Sequence, residues 1–332
     1  MATAQSIVDA VRDQGEKAIR QYAEKFNERT PDQPLFYNRS EMEAATQRID
    51  PDDVALLMRV QKRIADFAAA QMNCLTQLET PVPGGMAGHT IEPISRAGCY
   101  APAGRFPLPS TVLMTAVTAR IAGCEHVTVA SPNPGDLMLA AASIAGADQF
   151  LAVGGAQAIA AMAFGFDATE SSNVDSDPVD LICGPGNRFV AAAKQIVNGH
   201  VGIDMLAGPS ELLLIADETA NPATVAADLL AQAEHDTDAR PFLVTTSHSL
   251  AEQVNEQLEI QLETLPSAKV ARVSLAATAM VIVESVEQAI QLANRMAPEH
   301  LELHLADAAS VAAKIKNAGC IFIGHDLSLI HI

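Results

Sequence analysis

The chain has 332 residues, of which 49% are hydrophobic and 18% are charged, which excludes a disordered protein and fits about two domains of ordinary size. Asp and Glu outnumber Lys and Arg by 40 to 21, and a formal net charge of −19 argues against nucleic-acid binding through phosphate contacts. No apolar run approaches the ~18–20 residues of a membrane span and no signal sequence opens the chain, so we expect a cytoplasmic protein with no membrane partner. Five cysteines without a CxxC pair are typical of reduced thiols that fill cores.

Helical spacing dominates the first part of the chain. Apolar residues recur from Ile7 to Phe26, which predicts an amphipathic helix. A longer helix is predicted after Asp50-Pro51, and the segment Pro81–Gly85 is predicted to end it. The apolar side of this longer helix is formed by Leu56, Leu57, Val60, Ile64, Phe67 and Leu75.

From about residue 90 onwards, short apolar runs alternate with Ala-rich helical stretches. The predicted strands are His126–Ala130, Gln149–Val153, Val179–Cys183, Glu211–Ile215, Pro241–Thr245, Ala279–Val283 and Cys320–Ile323. The predicted helices are Thr111–Gly123, Asp136–Gly146, Ala156–Phe164, Asn187–Val197, Pro222–His235 and Val286–Met296. Such alternation predicts crossover connections and mostly parallel sheets, and hence an α/β fold.

There are more predicted strands than one modest sheet needs, so we predict two Rossmann-like domains, one inserted in the other. Segments rich in glycine and proline near residues 98–100 and 207–210 mark the boundaries. Residues 99–210 are the predicted inserted domain. Residues 1–98 and 211–326 are the predicted discontinuous domain.

Two glycine-rich turns each follow a predicted strand and open a predicted helix. They are Val153-Gly-Gly-Ala-Gln157 and Cys183-Gly-Pro-Gly-Asn187. The N-terminus of the following helix can hold a phosphate or another polar ligand. Neither turn has a GxGxxG or Walker A sequence, and turns of this kind also occur without a ligand. Their succession at the carboxyl ends of strands, where open α/β sheets bind ligands, favours a binding site.

A polar pair lies near the end of the helix that Asn221-Pro222 opens with a cap and a first-turn proline. Gln232 and His235 are three positions apart and therefore share one helical face. Neutral imidazole is a common zinc ligand, and an amide oxygen can complete such a set. The same spacing also occurs on ordinary helix surfaces.

Two further positions are candidates for chemistry. Glu299 and His300, in Ala297-Pro-Glu-His-Leu301, can form an acid–base pair where a helix stops and a strand begins, although an exposed loop pair has the same sequence. Ser210 can present its hydroxyl at a domain junction, or it marks a hinge. The histidines predicted to be structural or on the surface are His89, His126, His200, His248, His304, His325 and His331.

Taken in order, these motifs closely resemble the histidinol dehydrogenase family. The match runs over about residues 5–325. The resembling segments are Gly98–Met114, Val153–Gly165, Gly184–Lys194, Gly202–Asp217, Asp228–His235 and Ala297–Leu303. Six segments in the family's order are far more specific than any single turn, and they favour the functional interpretation of each motif.

The resemblance implies a zinc- and NAD-dependent four-electron oxidation, in which the substrate L-histidinol becomes the aldehyde and then L-histidine. It implies that Gln232 and His235 are zinc ligands, and that the metal orients the imidazole and amine of the substrate. By the same resemblance, His300 takes the hydroxyl proton of the bound substrate. Glu299 activates the water that adds to the aldehyde.

Other roles follow from the same resemblance. Ser210 would contact the substrate, and Tyr100, Gln157 and Asn187 match the NAD contacts of the family. The inserted domain is therefore expected to bind NAD. The family's homodimers share active sites, so a homodimer is expected for the full-length protein.

The end of the chain departs from the family. After Ile321–Gly324 the family continues into a segment with an Asp zinc ligand, followed by a later Glu, a second zinc-binding His and much of the dimer contact. Residues 327–332 instead match the translation of a transposon adapter used in sequencing libraries. We therefore expect a C-terminally truncated fragment with an adapter-derived tail, which binds zinc weakly and is inactive, although the full-length protein is an active enzyme.

Two other functions remain open. A related NAD-dependent dehydrogenase that oxidises another polar alcohol, such as a sulfonated diol, would carry the same motifs. A non-catalytic two-domain protein that binds a small ligand would not need Glu299 and His300.

Overall fold

The structure is a computed structural model that describes residues 1–102, 107–166, 175–206, 208 and 210–325. It divides into two compact units, residues 1–207 and residues 208–332. Each unit contains its own mostly parallel sheet with helices packed on it. The predicted adapter-derived tail lies outside the described residues.

The first unit contains eight helices and eight strands among its described residues. Its helices are α1 Ala2–Gln14, α2 Glu16–Lys25, α3 Arg39–Thr46, α4 Pro51–Met72, α5 Pro109–Ile121, α6 Asp136–Ile144, α7 Gly155–Phe164 and α8 Arg188–Val197. Its strands are β1 Phe36–Asn38, β2 Leu78–Val82, β3 Gly85–His89, β4 Arg96–Tyr100, β5 His126–Ala130, β6 Gln149–Leu151, β7 Leu181–Cys183 and β8 Gly202–Ile203.

Six of these strands form one sheet in the order β1-β6-β5-β4-β7-β8. All neighbours are parallel except the edge strand β1, which pairs antiparallel with β6. Apolar side chains of α1, α2, α7 and α8 form one core cluster, and those of α3 to α6 form the other. The strand order reverses between β4 and β7, which is the switch point where sheets of this kind leave a crevice at the carboxyl ends.

The second unit repeats this arrangement with five parallel strands in the order β11-β10-β9-β12-β13. Its strands are β9 Glu211–Ala216, β10 Arg240–Thr245, β11 Ala279–Ile282, β12 His300–His304 and β13 Cys320–Ile323. Its helices are α9 Pro222–Ala233, α10 His248–Thr264, α11 Ala268–Leu275, α12 Val286–Met296 and α13 Ala308–Ala312. Here the order reverses between β9 and β12.

Helix α9 carries the chain back across this sheet. Asn221 caps it, because its side chain accepts a hydrogen bond from the Ala223 N–H, and Pro222 occupies the first position. The helix begins beyond the carboxyl end of β9 and ends before β10, where the Arg240 N–H donates to the Ser210 carbonyl at 3.0 Å. The last turn of α9 therefore lies at the amino edge of the sheet.

The two units differ from the predicted insertion of residues 99–210 into a domain formed by the flanking parts. Residues 1–98 belong to the first unit. Strand β1 extends the first sheet, and α1 packs against α7 and α8. The amphipathic pattern of these segments shows that they bury one face, but it carries no information about which sheet covers that face.

The two helices predicted in the first part of the chain differ from the helices in the structure. The first is two helices, α1 and α2, because the chain breaks at Gly15 with a φ of 56°. Helix α4 buries Leu57 but leaves Phe67 67% exposed, and it ends at Met72, before the β2–β3 hairpin that contains the predicted break. Large exposed apolar side chains are concentrated between residues 56 and 94, and we call this range the exposed apolar segment. They are Leu56, Met58, Phe67, Met72, Leu75, Leu78, Val82, Met86, Ile91 and Ile94.

None of the helices in the described ranges is both long and apolar enough to cross a membrane.

Gly184, directly after β7, is held against the end of β4. Its φ is +110°, and an added Cβ would lie 1.9 Å from the Tyr100 carbonyl oxygen. Gly199 has a similar φ of +97°, but a Cβ there would meet nothing within 4 Å. An alanine at either position would therefore carry the strain of a positive φ, but only an alanine at position 184 would also overlap a neighbouring atom.

We expect Gly184→Ala to lower the free energy of unfolding by at least about 2 kcal/mol more than Gly199→Ala, because only Gly184→Ala adds overlap to the cost of a positive φ. Urea unfolding followed by circular dichroism measures the difference. Equal losses in the two variants would contradict the close approach of β4 and β7.

Candidate functional site

Tyr100 ends β4 at the switch point of the first sheet. Its side chain is buried, and the phenolic oxygen accepts a hydrogen bond from the Gly155 N–H at 3.1 Å. Burial raises the pKa of Tyr100 to about 12, so the hydroxyl keeps its proton at neutral pH. The hydroxyl of Tyr100 can therefore donate to a ligand while its oxygen holds the start of α7.

Gln157, in the first turn of α7, is completely buried. Its Nε2 donates to Glu28 Oε2 at 3.1 Å, and the same carboxylate oxygen accepts from the Gly154 N–H at 3.0 Å. Burial raises the pKa of Glu28, and these two hydrogen bonds oppose that rise. Within the described ranges, Gln157 Oε1 has no hydrogen-bond partner. A buried acceptor left unpaired is costly, which favours a bound donor at this position.

Asn187 has a structural role in addition to the ligand-binding role that its motif suggested. It caps α8, and its Oδ1 accepts from the backbone N–H groups of Phe189 at 2.9 Å and Val190 at 3.2 Å. The amide nitrogen is therefore the polar atom that this side chain can offer to a ligand.

The turn before Asn187 is fixed by a buried lysine. Lys194 Nζ donates to the Gly184 carbonyl at 3.0 Å and pairs with Asp204. The other carboxylate oxygen of Asp204 accepts from the Gly184 N–H at 2.8 Å. Both backbone groups of Gly184 are thus occupied, and the turn has a defined conformation.

Glu299 and His300 lie at the amino edge of the second sheet. Helix α12 ends at Met296, the φ of 51° at the following Ala297 turns the chain, and Pro298 prevents the helix from continuing. The Glu211 N–H donates to Glu299 Oε2 at 3.2 Å, and His300 Nδ1 lies 3.2 Å from the Glu211 carbonyl oxygen. The structure therefore brings the predicted acid–base pair together, with Glu299 Oε2 3.8 Å from His300 Nδ1.

The tautomer of His300 follows from its partner. A carbonyl oxygen only accepts hydrogen bonds, so Nδ1 carries the proton and Nε2 keeps a lone pair. The side chain of His300 is 28% exposed, so part of the imidazole is open to solvent.

The predicted zinc pair occupies the same edge, but it is less regular than the spacing suggested. Helix α9 ends at Ala233, so His235 lies in the turn beyond it and its side chain is exposed. Gln232 is 1% exposed, and its Nε2 has no hydrogen-bond partner among the residues that the structure describes. Rotation of this amide by 180° about its terminal bond would place the oxygen, the atom that binds zinc, at the same position. A buried amide in this state, beside a solvent-accessible imidazole, fits a zinc ion in ligand type.

A buried cluster that the sequence did not reveal lies deeper in the second unit. His304 Nε2 is 3.7 Å from Asp228 Oδ2 and 3.6 Å from Glu302 Oε2, and all three side chains are at most 1% exposed. Over the described part of the chain, these three residues are the one His/Cys/Asp/Glu group close enough to hold a metal ion. His304, which was predicted to be structural or on the surface, is buried beside two carboxylates.

Weak signals for this cluster were present in the sequence. Asp228 precedes Gln232 by four residues and shares its face of α9. Glu302 and His304 are two residues apart, so they point to the same face of β12. What the sequence lacked was the pairing that places α9 over β12.

Comparisons with known proteins identify the family of this chain. The model of the histidinol dehydrogenase family matches residues 1–329. The chain is 44% identical over 329 residues to the histidinol dehydrogenase of Rhodopseudomonas palustris, covering 97% of this chain and 74% of that protein. It is 41% identical over 328 residues to the histidinol dehydrogenase of Streptococcus mutans, covering 98% and 75%. The chain belongs to the histidinol dehydrogenase family.

A solved structure supports the same assignment. The crystal structure of histidinol dehydrogenase from Elizabethkingia anophelis superposes with a TM-score of 0.91 at 34% identity, covering 98% of this chain and 75% of that one. The predictions of an α/β fold with two mostly parallel sheets and of an NAD-dependent oxidoreductase are confirmed. The chain spans about three quarters of the length of these relatives.

We expect Tyr100→Phe to lower the free energy of unfolding by about 1–3 kcal/mol, because it leaves the Gly155 N–H without its buried partner. Tyr22→Phe is the matched control, since the Tyr22 hydroxyl makes no hydrogen bond to any described residue, and it should change stability by less than about 0.5 kcal/mol. Chemical unfolding of both variants measures the two changes in the free energy of unfolding. Equal effects would show that the Tyr100 hydroxyl does not hold α7.

Proposed function

We propose that this chain provides residues for the oxidation of L-histidinol through the aldehyde to L-histidine, with two NAD⁺ reduced. Family membership supports the overall reaction. The residue-level proposal rests on the hydrogen bond from His300 Nδ1 to the Glu211 carbonyl, because this bond leaves Nε2 to act as the base.

The first oxidation needs a base at the alcohol. His300 Nε2 takes the hydroxyl proton while the carbon gives its hydride to the nicotinamide, which leaves the aldehyde. Because Nδ1 keeps its hydrogen bond to a backbone carbonyl, the imidazole does not need to reorient during this step.

The second oxidation needs water. Glu299, half exposed and fixed by the Glu211 N–H, is suited to remove a proton from the water that adds to the aldehyde. The resulting hydrate gives a second hydride to a second NAD⁺ and becomes the carboxylate. Ser210, adjacent to Glu211, is proposed to contact the substrate.

The first unit is proposed to bind the cofactor at the carboxyl ends of its strands. Tyr100 offers a hydroxyl proton, Gln157 Oε1 offers an unpaired acceptor, and Asn187 offers its amide nitrogen. Together with the N-terminus of α8, these groups supply the donors and acceptors that a dinucleotide needs in place of a GxGxxG fingerprint.

Gln232 and His235 are proposed to hold zinc. When bound, the ion would anchor the imidazole and the amine of the substrate and so orient the alcohol carbon. Two protein ligands are fewer than a firm zinc site uses, so this chain on its own is proposed to bind the ion weakly and to turn over poorly.

The activity test uses a chimera in which residues 1–325 are followed by the C-terminal quarter of the Rhodopseudomonas palustris relative. We expect NADH formation with L-histidinol at two equivalents per substrate, and His300→Asn should lower kcat by at least ~10²-fold because the base is lost. His248→Asn, at an exposed histidine that begins α10, is the control and should leave kcat unchanged. Glu299→Gln should slow oxidation of the aldehyde more than oxidation of the alcohol.

Other outcomes would exclude this assignment. Turnover of a sulfonated diol, with none of L-histidinol, would favour the related dehydrogenase. Unchanged kcat in His300→Asn would remove His300 from the reaction.

Zinc retention is a separate test. After gel filtration with zinc present, metal analysis of the 332-residue chain should give far less than one zinc per chain, whereas the chimera should approach one. Gln232→Ala should reduce the zinc content of the chimera, and Gln261→Ala, at a glutamine on α10, should not. One tightly bound zinc per chain in the unextended protein would contradict the proposed weak site.

A further inference from the structure

Two cysteines lie side by side at the switch point of the first sheet. Cys99 in β4 and Cys183 at the end of β7 are directly opposite each other in the parallel register. Their sulfur atoms are 3.7 Å apart. Both side chains therefore project from the same face of the sheet, toward the core cluster formed by α3 to α6.

The backbone already has the spacing that a disulfide requires. Neighbouring strands lie about 4.7–4.9 Å apart, and disulfides join Cα atoms that are roughly 4.4–6.8 Å apart. The sulfur atoms need to approach from 3.7 Å to the ~2.05 Å of a covalent bond, through side-chain rotation together with a small shift of the two strand ends.

The two thiols are chemically unequal. Cys99 is fully buried, whereas Cys183 is only partly buried and is the more accessible thiol of the two. The hydrogen bond between the sulfurs lowers the pKa of Cys183 and raises the pKa of Cys99. Burial and the Asp204 carboxylate oppose the lowering of the Cys183 pKa, and the Lys194 ammonium supports it. Accessible thiolates react first with oxidants, and a close second thiol resolves the product.

We propose that Cys99 and Cys183 form a reversible disulfide when the protein meets hydrogen peroxide. The Cys183 thiolate attacks one peroxide oxygen, the O–O bond breaks, and the leaving hydroxide takes up the thiol proton as water. The Cys99 sulfur then attacks the sulfenic sulfur of Cys183, and the S–O bond breaks as the S–S bond forms. The second hydroxide leaves with the Cys99 proton, so two thiols lose two electrons and the peroxide becomes two waters.

The bond would join two strand ends that carry other groups. Cys99 is followed by Tyr100, and Cys183 is followed by Gly184. The backbone of Gly184 already lies against the Tyr100 carbonyl, so this contact cannot absorb a shift of the strand ends. Drawing the sulfurs together therefore changes the spacing of Tyr100 and the turn before Asn187. This consequence rests on the proposed function, whereas formation of the disulfide does not.

Peptide mapping tests the disulfide in the 332-residue chain carrying Cys74→Ser and Cys320→Ser, which removes the two exposed thiols. After treatment with peroxide and alkylation of remaining thiols, cleavage after Lys, Arg and Glu places Cys99, Cys124 and Cys183 on separate peptides, residues 97–105, 121–125 and 171–188. We expect one linked species of peptides 97–105 and 171–188, two hydrogens lighter than their sum and separated by a reductant.

Substitutions provide the controls. Cys99→Ser and Cys183→Ser should each abolish the linked species, and Cys124→Ser, at another buried thiol of the same core, should retain it. A link to peptide 121–125, or sulfinic acid at Cys183 with no link, would overturn the proposal.

A second readout is NAD⁺ affinity, measured by calorimetry on the reduced and oxidised chain. We expect oxidation to weaken binding about tenfold or more. Equal affinities would overturn the effect on the cofactor. Failure of both forms to bind NAD⁺ would overturn the proposed cofactor site, while the peptide map still decides whether the disulfide forms.

Discussion

The backbone of Glu211 is the constraint on which the candidate site of the second unit depends. Its N–H holds Glu299 and its carbonyl holds His300, because parallel pairing sets β9 beside β12. On the other side, the Cys320 N–H donates to the Glu299 carbonyl at 2.9 Å. These contacts depend on strand register and not on the side chain of Glu211. A slip of one residue would turn His300 to the opposite face of the sheet.

The five parallel strands of each unit follow the same order, but the polar groups lie at the carboxyl ends of the strands in the first unit and at the amino ends in the second. In the first unit, Tyr100 and the turn before Asn187 follow the carboxyl ends of β4 and β7, the usual location in open α/β sheets. In the second unit, Glu299 and His300 stand at the amino end of β12, and α9 returns Gln232 to that same edge. The position of Gln232 follows from chain direction, because α9 follows β9 and must end where the next parallel strand, β10, begins.

Local signals in the sequence were sufficient for many elements and insufficient for contacts between them. Strands β5 and β13 and the start of α9 at Pro222 were predicted correctly, because residue alternation and capping are encoded within a few positions. The end of α9 was placed two residues too late, since no glycine or proline marks it. Partners from distant segments, such as Asp228 beside His304, depend on sheet pairing and could not be predicted. The resemblance to a family supplied the proposed roles of residues, but not the tautomer of His300.

The exposed apolar segment between residues 56 and 94 belongs to a chain whose formal net charge is −19. In dilute buffer, like charges keep copies of the chain apart over roughly 10–30 Å. Added salt shortens this repulsion, and sulfate in particular also strengthens the burial of apolar surface. Sulfate salts therefore act in one direction on this protein: they weaken what separates two copies and strengthen what brings their apolar surfaces together.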